Sequence, residues 1–168
     1  MKAFIFIIVL LLPCLSSHAQ VSHYNSSKLL TSKYEGVYSY EKKTEKIGGI
    51  VIIYPETDST VLFYIDVIHG PPSYNMGALY GRLKIKNNNG IFFTKHGHSS
   101  SACKWSFEFS NHNLVVKTMD DQNECGFGNG VFADGDFNRI PDKKLDYFLN
   151  GEAKRVYFKD TKPEDYYR

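Results

Sequence analysis

A surplus of charge of one sign is missing from this chain. Its 20 Lys and Arg stand against 18 Asp and Glu, a formal net charge of +2. That balance lacks the basic footprint of a nucleic-acid-binding protein. A long hydrophobic run is missing too, because the apolar stretch Ala3 to Leu12 is too short to span a bilayer. Cysteine is scarce, with 3 residues in 168. Catalytic signatures are absent: there is no Gly-x-Ser-x-Gly, no His-Glu-x-x-His and no phosphate-cradling Gly-rich loop that opens a helix. Aromatic residues, by contrast, are abundant. Twelve Tyr and twelve Phe exclude a disordered tail protein, which lacks such area.

The N-terminus has the order of a signal peptide. Lys2 precedes the apolar run, Pro13, Cys14 and a Ser-rich stretch follow, and Ser17-His18-Ala19 fits a small-x-small cleavage site. The expectation is a signal peptide over 1–19, a flexible leader over 20–33, one domain over 34–160 and a tail over 161–168. The mature protein is then periplasmic or secreted, nearly neutral, monomeric and without membrane insertion. Export leaves Cys103 and Cys125 as its cysteines, and an oxidising compartment favours joining them. Too few soft ligands surround them for a thiolate metal site, and a paired cysteine is a poor candidate nucleophile.

From Tyr34 onward the dominant hydrophobic period is two. Gly49 to Tyr54 is β-branched and stops at Pro55, and Val61, Phe63, Ile65 and Val67 alternate along the next segment. Asp58-Ser59 between them suits a hairpin turn. Leu79, Gly81, Leu83 and Ile85 alternate against Tyr80, Arg82, Lys84 and Lys86, and Asn88-Asn89-Gly90 supplies the positive φ of a tight turn. Ile91 to Thr94 reads as the return strand. Cys103, Trp105, Phe107 and Phe109 form the clearest half-buried strand. Leu114 to Met119 and a segment near Gly130 to Arg139 complete the set. The fold class is all-β: a small antiparallel β-barrel of about eight strands, or a sandwich, with a short C-terminal helix. That helix is expected after Pro141, on Leu145, Phe148 and Leu149, ending near Gly151, and Val156 to Phe158 offers a last strand.

Candidate sites are few. His96-Gly97-His98 has zinc-like spacing but sits in a Ser-rich loop, with His69, His112 or Asp120 as unplaced third ligands. Asp134-Gly135-Asp136 lacks the remaining oxygen ligands of a calcium loop and reads as a turn. The glycine-rich run Cys125 to Val131 reads as a disulfide-anchored bulge into the last strand. Asp66, Glu108 and Asp121 read as solvated carboxylates. No metal, no cofactor and no catalytic residue is expected. The long loop from His69 to Tyr80 is different, because prolines stiffen it and large groups line it. Ser73, Tyr74, Met76, Gly77, Ala78 and Tyr80 are the expected partner-binding residues.

The export signal, the eight-strand pattern and one disulfide near the C-terminal strands together resemble the small periplasmic barrels of the C-type lysozyme inhibitor class. That family inserts a loop rich in Ser, Gly, Ala and Tyr into the active-site cleft of lysozyme, and Gly77-Ala78-Leu79-Tyr80 is the nearest match. Leu79 stands where a basic residue is usual, and Met76 where a serine is. The stretch Cys103 to Asp136 is similar to other small secreted bacterial proteins and implies no activity. The expectation is a non-catalytic binding protein that inhibits a secreted hydrolase. The alternatives are a carrier with Phe63, Leu83, Trp105 and Phe107 lining an apolar pocket, or an envelope-associated structural protein.

Overall fold

A computed structural model describes residues 28–95 and 102–167. The expected signal peptide, Cys14 and the pair His96 and His98 lie outside the described residues. Eight strands, β1 (Gly36–Lys42), β2 (Ile47–Pro55), β3 (Thr60–Ile68), β4 (Met76–Lys86), β5 (Asn89–Lys95), β6 (Ala102–Phe109), β7 (Asn113–Asn123) and β8 (Gly135–Arg139), follow one another around a closed antiparallel barrel. β8 returns to β1 through Tyr38↔Arg139 and Ser39↔Asn138. The architecture is a barrel rather than a sandwich.

The period of two decides which side chains fill it. Val61, Phe63, Ile65 and Val67 of β3, Leu79 and Leu83 of β4, and Cys103, Trp105, Phe107 and Phe109 of β6 all point inward and are buried. The interior is packed with rings: Phe63 lies 4.9 Å from Phe107, 5.1 Å from Phe92 and 6.5 Å from Trp105. The β4–β5 turn takes its positive φ at Asn87 and Asn88, one residue earlier than expected. Gly90 is small for another reason: a Cβ there would come within 2.7 Å of the Leu83 side chain.

Both ends of the barrel are plugged. At one end, a 3-10 turn (Leu30–Tyr34) places Tyr34 over Phe109, with ring centroids 4.7 Å apart. The Tyr34 hydroxyl donates to Asn88 Oδ1 at 2.8 Å, and Thr31 Oγ1 donates to the Thr57 carbonyl at 2.5 Å. The last residues of the expected leader are thus tied down. At the other end, the loop 124–134 folds in behind the Cys103–Cys125 disulfide. Phe127 reaches 5.6 Å from Trp105, and the Gly128 N–H donates to the Met76 carbonyl.

The C-terminal segment corrects two expectations. Leu145, Phe148 and Leu149 do not form helical turns; Tyr147–Leu149 is a strand, β9, paired with β10 (Arg155–Tyr157) in a separate hairpin. The apolar spacing suits either state, and the Asn150 side chain settles it by capping the turn, its Oδ1 accepting the Glu152 and Lys154 N–H groups. The short helix comes later, as α1 (Pro163–Tyr166), so 161–167 is not a free tail. Together these elements strap the outside of β1 to β4. Phe148 and Phe158 cover Val37, Ile52, Leu62, Tyr64 and Tyr80, which form a second apolar cluster outside the barrel wall. Phe148 stacks on Tyr64 at 4.1 Å, and Tyr54 on Phe158 at 5.3 Å. The strap begins with backbone bonds, Ile140 N–H to the Val37 carbonyl and Val37 N–H to the Lys143 carbonyl.

Candidate functional site

The loop between β3 and β4 is closed by the His69 N–H, which donates to the Asn75 carbonyl at 2.9 Å, and braced within by Tyr74 N–H to the Gly70 carbonyl. Its foot rests on the β1–β2 turn: a Cβ at Gly70 would lie 1.9 Å from the Glu45 carbonyl oxygen, so only glycine fits. Pro71 and Pro72 occupy the turn, joined by a cis peptide bond. Tyr74 adopts φ 50° and stands at the tip, 49% exposed. Asn75 Nδ2 donates to the Asn129 carbonyl at 2.7 Å, which ties the loop to the 124–134 plug.

These braces divide the expected binding residues. Ser73, Tyr74, Met76 and Ala78 are exposed, Met76 at 58%. Gly77 is buried beneath Phe127, whose ring would lie 2.2 Å from a Cβ at that position. Tyr80 shares the outer face with Met76 and Ala78, but the strap covers it and leaves it 1% exposed. Its hydroxyl donates to the Thr161 carbonyl at 2.6 Å. Tyr80 is therefore part of the outer cluster, and its phenol is pushed above its ordinary pKa, first by burial and next by the Glu56 charge.

The register adds residues that the sequence does not group. Met76 pairs with Ile68, which pairs with Gly48; Ala78 pairs with Asp66, which pairs with Ile50. Of these, Gly48, Ile50, Asp66, Ile68 and Met76 line a shallow cleft of about 530 Å³, which Lys43 and Lys46 also line. Around the rim of the barrel, Ile68 and His69 also line a second cleft of about 500 Å³ bordered by Phe132, which is 51% exposed. One end of the molecule thus gathers Tyr74, Met76, Ile50 and Phe132. Apolar Ile50 and Ile68 at outward positions, where a solvated face calls for polar residues, are the sequence signal for this surface.

Asp66 is the unusual group there. It is half-buried, and among the described residues its carboxylate makes no hydrogen bond or ion pair. Burial raises its pKa above the ordinary carboxylate value. A raised folded-state pKa favours the fold while the group is protonated in both states, and that benefit fades as pH rises through the folded value. Asp66→Asn is expected to unfold at a higher temperature than the parent at pH 7. The gain should vanish below about pH 4, where Asp is protonated in either state. Melting curves across that range check it.

The remaining candidates are structural. Asp134 accepts the Thr118 N–H at 2.8 Å and its hydroxyl at 2.6 Å, and Asp136 accepts Asn113 Nδ2 at 2.7 Å, so both fix β7 to β8. Among the described residues, no group of three or more His, Cys, Asp or Glu is placed to hold a metal ion. No described helix is long and apolar enough to cross a membrane. No protein-family model, curated protein or solved structure matches this chain, and the fold itself, a closed eight-stranded antiparallel barrel with an outer C-terminal strap, is what its structure establishes.

Proposed function

We propose that this protein is exported and acts by binding a protein partner, a secreted hydrolase such as lysozyme, whose cleft it occludes with the tip of the β3–β4 loop. The observation that carries this reading is the braced tip itself, with Tyr74 exposed on it and Met76 exposed on the wall of the cleft that Ile50 and Ile68 line. A loop held by its own backbone bonds loses little entropy when a partner docks, so its contact area converts efficiently into affinity. Tyrosine is a frequent interface anchor because it joins a large apolar ring to a hydroxyl. Ser73 and Ala78 flank the anchor. Of the ends of the stretch that resembles the inhibitor loop, Gly77 is covered by Phe127 and Tyr80 by the C-terminal strap, so neither belongs to the contact surface. The inward rings Phe63, Trp105 and Phe107 are already in contact with one another, which favours a binding surface over an interior pocket.

The oxidised protein is expected to inhibit at least one member of a panel of lysozymes and related secreted hydrolases. Tyr74→Ala with Met76→Ala should weaken that inhibition by roughly 100-fold, as loss of two central anchors typically does. Equal inhibition by the double variant, or none by the parent across the panel, would overturn the reading.

A further inference from the structure

The barrel has a split that the loop surface does not use. β3 and β4 pair continuously from Thr60↔Lys84 to Ile68↔Met76, whereas β4 and β5 pair only at Ile85↔Gly90 and Lys86↔Asn89, next to their turn. Beyond that point the two strands line a cavity of about 630 Å³ together with α1. Backbone direction alternates along a strand. The Ile85 N–H donates to the Ser59 carbonyl on the β3 side, so Lys84, Arg82 and Tyr80 direct their N–H and C=O groups toward the split. The Asn88 carbonyl accepts the Phe109 N–H on the β6 side, so by the same alternation Ile91, Phe93 and Lys95 direct theirs toward it from β5.

One residue already occupies this edge. The Tyr167 hydroxyl accepts the Tyr80 N–H at 2.7 Å and donates to the Tyr80 carbonyl at 3.1 Å. Those are the two bonds that an incoming antiparallel residue makes to a strand edge. The chemistry of the walls narrows the occupant further. Ile91, Phe93 and Tyr167 are 58%, 52% and 58% exposed beside the split, giving apolar seats for alternate side chains. β4 and β5 carry Arg82, Lys84, Lys86 and Lys95 and no acidic residue. Arg82 is engaged by Glu56 and by Glu164 of α1, while the three lysines are exposed. Behind the split the core stays sealed, because Phe63 and Phe92 fill the space that a Cβ on Gly81 would need.

We propose that the β4 edge from Tyr80 to Lys84 is a strand-docking site for an extended, acidic polypeptide segment with alternating apolar residues, and that Tyr167 holds the place of that strand in the free protein. Docking would exchange the two Tyr167 bonds for a strand ladder and lift the end of α1 from the edge. The surface is distinct from the loop tip, so its occupant and the loop's partner are separate.

The test uses the full oxidised protein and a labelled synthetic probe, acetyl-Val-Glu-Val-Thr-Val-Glu-Val-amide. Two controls accompany it, one with Lys in place of Glu and one N-methylated at alternate residues. Affinity is read by fluorescence anisotropy and amide exchange residue by residue. The probe should bind and slow exchange at Arg82 and Lys84, and Tyr167→Phe should tighten binding about five-fold or more by freeing the Tyr80 amide. That variant keeps the ring against Tyr166, so folding is not at issue. Both control peptides should bind about ten-fold more weakly or worse. Arg82 and Lys84 amides as protected in the free protein as those between β2 and β3 would overturn the proposal. So would a probe that leaves these amides unprotected, or an affinity unchanged by Tyr167→Phe. Protection that grows with protein concentration without peptide would replace the acidic segment by a second copy of this chain.

Discussion

Phe148→Ala is expected to destabilise the protein by about 4 kcal/mol, the usual scale for truncating a fully buried phenylalanine. Phe148 is 1% exposed and sits at the centre of the outer cluster, 4.1 Å from the Tyr64 ring, 4.9 Å from Tyr80 and 5.5 Å from both Phe158 and Tyr166. Little else can fill the space it leaves, because its neighbours belong to a rigid sheet on one side and a short hairpin on the other. Leu149→Ala provides the contrast. Leu149 is the next residue along the strand, points outward and is 50% exposed, so its loss should change stability by about 0.5 kcal/mol or less. Urea unfolding of the pair checks the strap directly. A helix over these residues would bury both side chains to similar degrees and would predict two similar losses.

Removal of the disulfide should be nearly as damaging. Cys103 and Cys125 close a loop with a sequence separation of 22, which in the chain-entropy account is worth about 3 kcal/mol. For a domain of this size that corresponds to a fall in Tm of roughly 10 °C. The bond also anchors the 124–134 plug, whose Phe127 covers Trp105. Because Trp105 is the chain's single tryptophan, its emission reports on that plug without interference. The Cys103→Ala/Cys125→Ala variant should therefore melt earlier and, still folded at room temperature, emit at longer wavelength than the parent. An unchanged Tm would mean that Gly128, Asn129 and Phe127 hold the plug without the bond.

The barrel was largely legible because its strands obey a single rule. Cys103, Trp105, Phe107 and Phe109 alternate so regularly that no other element accommodates them, and all four point into the core. The C-terminal strap was not legible for the opposite reason. Leu145, Phe148 and Leu149 satisfy helical and extended spacing alike, and their partners Tyr64 and Tyr80 lie on strands far away in sequence. That same strap buries Tyr80, so its apparent place in the recognition loop could not be judged from a strand pattern that says only which face a residue shares. Tyr74 and Met76 could be found, because stiff loops between confident strands are few. Ile50, Asp66 and Ile68 come from two strands and meet Met76 and Ala78 only through register, which composition and periodicity leave open. The split between β4 and β5 is hidden for a similar reason, since a clean alternation on each strand does not reveal that their ladder stops after Ile85↔Gly90.

Amide exchange of the whole protein, with and without a hydrolase from the inhibition panel, tests most directly the proposal that the braced tip of the β3–β4 loop meets such an enzyme. Protection confined to residues 69–78 and the neighbouring 47–50, with the strap and the β4–β5 split unchanged, is the predicted result. Protection that appears elsewhere on the barrel while Ser73, Tyr74 and Met76 exchange as in the free protein would contradict it.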